Sequence, residues 1–249
     1  GVDPLTHKYR SMSPYVFTGN NPIMLVDPDG RKISWNLWNG DFSGAVSAWF
    51  IYKKTKSGRE AWDFMKNAET NYHFSVKNDA VGIGKDDNGR DYIAGGVTYQ
   101  IAGKDNDVQI VLFGGSYDLM HEIDEDYKNT DIGGWDEMSP ENKSKLVTIR
   151  IKQYKEVYDI DKFESAVKTI DPMKLKQGDF NTGISKHKGK VNVPKDETKS
   201  QYMQRMGIHE YGHAWSRDPA NQTKLSERGL DMYNEIIPIE LENVIIDEY

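Results

Sequence analysis

Residues 207 to 215 read Gly-Ile-His-Glu-Tyr-Gly-His-Ala-Trp and contain the pattern His209-Glu210-x-x-His213. In a helix, residues four apart lie on one face about one turn from each other, so both imidazoles can reach a single metal ion. Glu210 stands one step on from His209, rotated away from direct ligation but within reach of a water on that metal. Two His ligands, a water and a carboxylate that takes its proton are the parts that metal-assisted hydrolysis needs. Other donors are scarce. The chain has no cysteine, so a transition-metal site must use His and carboxylates, and the six His are at 7, 73, 121, 187, 209 and 213. The same absence excludes disulfide scaffolds, thiolate zinc clusters and a Cys nucleophile.

A helix must carry this pattern, and the surrounding sequence provides one. Residues 199–215 contain no proline, and Tyr202, Met206, His209 and His213 fall on one stripe. Thr198 or Ser200 can cap its start, and Asp218-Pro219 ends it. The rest of the chain reads as mixed α and β. A helix is predicted over 57–70 with Ser57 as cap, from Ala61, Trp62, Met65 and Ala68 at helical spacing. Residues 72–76 alternate as a strand, and 95–101 with 108–113 form a hairpin around 103–107. Strict alternation over 146–154 predicts another strand, 160–170 a short amphipathic helix, and 188–193 a strand ending at Pro194.

The His209-Glu210-x-x-His213 pattern resembles that of the zincin metallopeptidases, where a Gly before the second His, here Gly212, is common. A metzincin would place a His or Asp six residues past His213, where Pro219 stands. A gluzincin-like arrangement fits better. It implies Zn²⁺ held by His209, His213 and a Glu on the following helix, with Glu210 as the general base. Asn234-Glu235 stands at the usual separation, which makes Glu235 the expected third ligand. Pro238 departs from that family's pattern, and a helix starting at Pro238 would favour Glu242 instead; Glu240, Glu227 and Asp231 are further candidates. The fold class implied is α+β, a zincin-like domain of mixed sheet, active-site helix and C-terminal ligand helix. Zincins also stabilise the reaction's oxyanion with a Tyr or His. Tyr233, Tyr211 and His187 are conceivable, and spacing selects none of them.

The first thirty residues have a different character. Asp3-Pro4-Leu5, Lys8-Tyr9, Ser13-Pro14-Tyr15, Asn20-Asn21-Pro22 and Asp27-Pro28-Asp29-Gly30 put a turn signal every few residues. Together these clusters resemble the end of the core module of RHS/YD-repeat proteins, over residues 2–31. In that family a β-cage precedes the module and a variable toxin or effector domain follows it. The resemblance therefore divides the chain into a core tail at 1–31 and a metallopeptidase toxin domain at 32–249. It also implies a secreted or cell-surface parent protein, delivery into a target cell, and a cognate immunity protein. Some relatives release the toxin by autoproteolysis at a motif that Pro22 and Asp27-Pro28-Asp29-Gly30 fit, although Arg31 stands where Leu is usual.

Composition narrows the partners. With 39 acidic against 32 basic residues the net charge is −7, which argues against nucleic acid as the main partner. Apolar runs such as 108–113 are far shorter than the roughly 20 residues of a membrane-spanning helix, and 1–10 contains no signal-peptide core. A protein substrate is the expected partner. Asp86-Asp87-Asn88-Gly89 lacks the later Glu of a calcium loop and reads as a turn. His121-Glu122 with Asp124, Glu125 and Asp126 reads as an acidic loop. Gly82-Ile-Gly84 is not followed by the Lys of a phosphate loop, and the lysines over 174–190 read as a solvated face. The expected activity is thus zinc-dependent peptide-bond hydrolysis, with the 188–193 strand aligning an extended substrate. The competing reading is a non-catalytic binding or adhesion module with a structural metal. Four protein ligands would mark a structural site, three and an open position a catalytic one.

Overall fold

The computed structural model describes residues 42–104, 106–162, 191 and 193–249. The clusters at 2–31, the lysine-rich stretch 174–190 and most of the predicted helix 160–170 and of the strand predicted at 188–193 lie outside them. The described elements begin with helices α1 (Phe42–Tyr52) and α2 (Lys56–Asn67). Strands β1 (Asn71–Lys77), β2 (Ala80–Lys85), β3 (Asp91–Ala94), β4 (Gly96–Gln100) and β5 (Asp107–Phe113) follow. Next come α3 (Gly114–Tyr127), α4 (Pro140–Arg150) and β6 (Glu156–Asp159). The C-terminal part holds α5 (Lys199–Arg217), α6 (Gln222–Glu227) and α7 (Ile236–Ile246).

The apolar run 108–113 lies in β5, the middle strand of a sheet ordered β1-β5-β4. β1 runs parallel to β5 and β4 antiparallel, with Thr98 opposite Ile110. A strand paired on both edges and covered on both faces must be apolar at successive positions, and Val108, Ile110, Val111, Leu112 and Phe113 are all buried. The second sheet, β3-β2-β6, pairs β2 antiparallel with β3 and parallel with β6. Between β2 and β3 the expected turn forms: Gly89 adopts φ +74°, and the Asp86 carboxylate accepts from the N–H groups of Asn88 and Arg90. Val81 and Ile83 pack with Leu119 and Ile123 of α3 and Val147 of α4 in one core cluster. Val97, Val111, Phe113 and Ile160 form another. The chain is α+β.

Three local expectations are corrected. The helix over 57–70 is α2, and its cap is Thr55, whose hydroxyl accepts from the N–H of Gly58. Ser57 instead donates to Glu248 near the C-terminus. Residues 146–150 belong to helix α4 rather than a strand. Ser139 caps it and Pro140 opens it, and this start signal overrides an alternation that 3.6-residue periodicity also accommodates. His121 to Asp126 lies within helix α3 and not in a loop.

The C-terminal helices carry the site. α5 has Thr198 as cap in a capping box with Gln201, and Asp218 follows its last turn. The helix is covered almost all round, and Ile208, Ala214 and Ser216 are at most 1% exposed. α7 crosses it where α5 has no side chain. A Cβ added to Gly212 would lie 2.8 Å from Pro238 Cα and 2.9 Å from Pro238 N, both backbone atoms. Glycine here is a requirement of close approach between two backbones. Pro238 sits within the first turn of α7, where backbone N–H groups have no intrahelical partner, so it does not break the helix.

Candidate metal centre

The cap and the length of α5 place His209 and His213 on one face, with Nε2 atoms 3.1 Å apart. The crossing at Gly212 brings the start of α7 over this face. Glu235, the residue just before the first turn of α7, points its carboxylate at both rings: Oε2 lies 3.6 Å from His209 Nε2 and 3.5 Å from His213 Nε2. His209, His213 and Glu235 could hold a metal ion, with one ligand atom from each and all three within 4.8 Å of one another. Among the described residues no fourth His, Asp or Glu joins them.

Glu242 is two turns further along α7 and meets His209 from behind. Its Oε1 lies 2.6 Å from His209 Nδ1, while its Oε2 accepts from Arg205 Nη1 at 2.6 Å. An arginine beside it keeps this carboxylate ionised and therefore acceptor-only, so Nδ1 must be the donor. The Nε2 lone pair of neutral His209 is then left facing Glu235 and His213. Glu242 thus meets His209 from outside the cluster that could hold a metal ion, and α7 starts at Ile236 rather than at Pro238, the start that would have favoured Glu242. Of the other candidates, Glu240 pairs with Arg228 at 2.7 Å, Asp231 accepts from the N–H of Tyr233, and Glu227 is exposed.

Electrostatics follow this arrangement. Burial disfavours the His209 imidazolium, but the hydrogen bond and charge of Glu242, with Glu210 and Glu235 adding, outweigh it and raise its pKa from 6.5 to about 9. Burial pushes Glu242 up, and His209 and Arg205 more than offset this, leaving it below the usual carboxylate range. Glu235 is likewise lowered, by His213, His209 and Arg217 against its burial. His213 Nδ1 is buried without a hydrogen-bond partner among the described residues. Its Nε2, by contrast, faces the cluster.

Glu210 is 4% exposed and faces β4. Its Oε2 accepts from Thr98 Oγ1 at 2.7 Å. A Cβ at Gly96 would lie 2.6 Å from Glu210 Cγ and 2.8 Å from Oε1, so the side chain fits only because residue 96 is glycine. Glu210, His209, His213 and Glu235 all line one cleft of about 780 Å³, together with residues 92–98, Ile160, Met206, Arg217 and Tyr233. Tyr233 is 41% exposed there, with the Arg217 guanidinium 5.7 Å from its ring centre. Tyr211 is buried against Phe64 instead, and His187 lies outside the described residues.

The strand beside the cleft is β4. Phe113 N–H donates to Gly95 O and Ile101 N–H to Asp107 O, each at 2.8 Å. Antiparallel alternation then turns the backbone groups of Gly95, Val97, Tyr99 and Ile101 toward β5, and those of Gly96 and Thr98 toward the edge. Among the described residues no strand pairs with that edge. The sequence reading missed Thr98, Gly96 and Arg205. Arg205 did carry a signal: it stands four residues before His209 on the same face, and a cation inside a buried stripe needs carboxylate partners. Nothing local to Thr98 or Gly96 marks them.

Comparison of the chain with protein-family models, with curated proteins and with solved structures found no match.

Proposed function

We propose that residues 32–249 form a zinc-dependent endopeptidase. The observation that carries this reading is the convergence of His209, His213 and Glu235 on one point, with the Glu210 carboxylate and strand β4 lining the same cleft. The donor set is two imidazoles and one carboxylate with no thiolate, and zinc takes such sets tetrahedrally. Ligands at about 2.0–2.1 Å in a tetrahedron stand roughly 3.3 Å from each other, and the three donor separations are 3.1, 3.5 and 3.6 Å. With three protein ligands among the described residues a position is left for substrate or water, which favours a catalytic over a structural metal.

Zinc, when bound, supplies a Lewis acid that polarises the scissile carbonyl and lowers the pKa of a water to about 7. His209 and His213 bind through Nε2, and Glu235 through its carboxylate. Glu210 takes the proton of the attacking water and delivers it to the leaving amine. Thr98 holds one Glu210 oxygen, which leaves the other for that proton. An extended peptide lies along the cleft that β4 lines. The Tyr233 hydroxyl is the candidate donor to the oxyanion. The resemblance at 2–31 supports the further reading that this peptidase is a toxin or effector delivered by an RHS-type protein.

The test is hydrolysis of a peptide library by the zinc-loaded protein, with new termini identified by mass spectrometry. Glu210→Gln is expected to keep one zinc and to lose about 10²–10⁴-fold in rate. Full activity of that variant would remove Glu210 from the mechanism. A crystal of the zinc-loaded protein with four protein ligands on the metal would replace catalysis by a structural role.

A further inference from the structure

Arg205 is not within the cleft, yet it is one of the most heavily engaged side chains of α5. Its Nε and Nη2 donate to Glu197 Oε1 and Oε2 at 2.7 and 2.8 Å, a two-pronged bond. The remaining nitrogen, Nη1, donates to Glu242 Oε2 at 2.6 Å. The other oxygen of Glu242 accepts from His209 Nδ1 at 2.6 Å. The four side chains form one unbroken line from the segment before α5 to the metal centre. The Arg205, Glu197 and Glu242 side chains are 9%, 7% and 5% exposed. Glu197 is itself tied down, since its backbone carbonyl accepts from Tyr117 Oη at 2.8 Å.

A buried guanidinium held by one carboxylate on both prongs has a fixed plane, and its third nitrogen points in a fixed direction. Glu242 sits on α7 and could take other rotamers, but leaving Nη1 would strand a buried donor and a buried charge. Glu242 is therefore held in the orientation that accepts from Nδ1, and His209 in the ring orientation that aims Nε2 at the ligand cluster. We propose that Arg205, anchored by Glu197, is a positioning residue for metal binding that acts through Glu242 on His209. The inference rests on the reading of His209 as a metal ligand and is independent of whether the bound metal cuts peptides.

A double-mutant cycle tests it. Zinc affinity is measured by competition with a chelator at one fixed pH above 9, where no proton competes at His209, for the wild type, Arg205→Lys, Glu242→Gln and the double variant. Thermal melting and circular dichroism of the metal-free proteins establish that each is folded. Lysine keeps the charge but cannot span both carboxylates. Glu242→Gln should weaken zinc about 10–100-fold, the range for partners that orient a metal ligand. Arg205→Lys should weaken it several-fold, and the double variant should be no weaker than Glu242→Gln alone, because among the described residues Glu242 is the one cluster neighbour to which Arg205 donates. Should Arg205→Lys fail to fold, Glu197→Gln takes its place. It keeps the shape of the anchor, and its smaller loss should likewise vanish in the Glu242→Gln background. Wild-type affinity in the folded Arg205 or Glu197 variant, or losses that add in the double variant, would overturn the proposal. Zinc binding with this coupling but without peptide hydrolysis would remove the peptidase reading and leave the positioning role in place.

Discussion

Zinc should compete with a proton at His209, and the pH range of that competition can be worked out from the site. Glu242 and the neighbouring carboxylates raise this imidazole from 6.5 to about 9 in the metal-free protein. A metal ligand must give up the proton on Nε2. Below the raised value, each pH unit therefore costs zinc a factor of ten, and the affinity should climb until about pH 9 instead of levelling near 6.5. Over that interval of roughly two and a half units the gain is on the order of 3 kcal/mol. The assay is chelator competition at half-unit steps from pH 6 to 10, on the wild type and on Glu242→Gln. In the variant the climb should end earlier, so the wild type gains on the variant as pH rises from about 6.5 to 9. The metal-free protein provides a second reading with the opposite sign. A pKa raised on folding stabilises fully below 6.5, and that stability is lost as pH rises to about 9. Urea unfolding of wild type in chelator should therefore show a fall over this range that Glu242→Gln lacks. Wild-type zinc affinity that is flat above pH 7 would refute the raised imidazole and the orientation argued for Glu242.

Removing the Thr98 hydroxyl in Thr98→Val leaves the buried Glu210 oxygen without its donor, which costs about 1–3 kcal/mol in stability. Peptide hydrolysis should fall about tenfold or more while zinc affinity stays unchanged, and Thr98→Ser should restore the rate. Equal rates for Val and Ser would show that the hydroxyl is not used. Gly212→Ala should lower the stability by about 1–3 kcal/mol, because the new Cβ meets Pro238 backbone that cannot rotate away. Its melting temperature measures this, and a variant as stable as wild type would mean that α5 and α7 separate at no cost.

The outcome at the candidate ligands separates local from tertiary information. A pattern with two His four apart on a capped, proline-free stretch contains its own geometry, because 3.6 residues per turn brings both rings to one face wherever the helix lies. The capping box and the Asp218-Pro219 stop are equally local, and so are the turn at 86–89 and the apolar run that became β5. Alternation over 146–154 misled because a short alternating run also fits a helix, and the Ser139-Pro140 start decided between them. The third member of the cluster is a different kind of question. Glu235 and Glu242 stand seven residues apart, two turns of helix, so both project from one side of α7. Which of them reaches the cluster depends on where α7 crosses α5, and that crossing is set by the missing side chain of Gly212 against the backbone of Pro238.

Sequence by itself determined the two imidazoles, the carboxylate between them and the helix that presents them, since these depend on contacts within one or two turns. Tertiary structure decided the rest: Glu235 in front of the rings, Glu242 and Arg205 behind them, and β4 against Glu210. The contacts that join these elements link residues far apart in the chain, 22 positions from His213 to Glu235 and 112 from Thr98 to Glu210. Over such separations the packing of helix on helix and helix on sheet sets the distance, and local propensity contains no information about it.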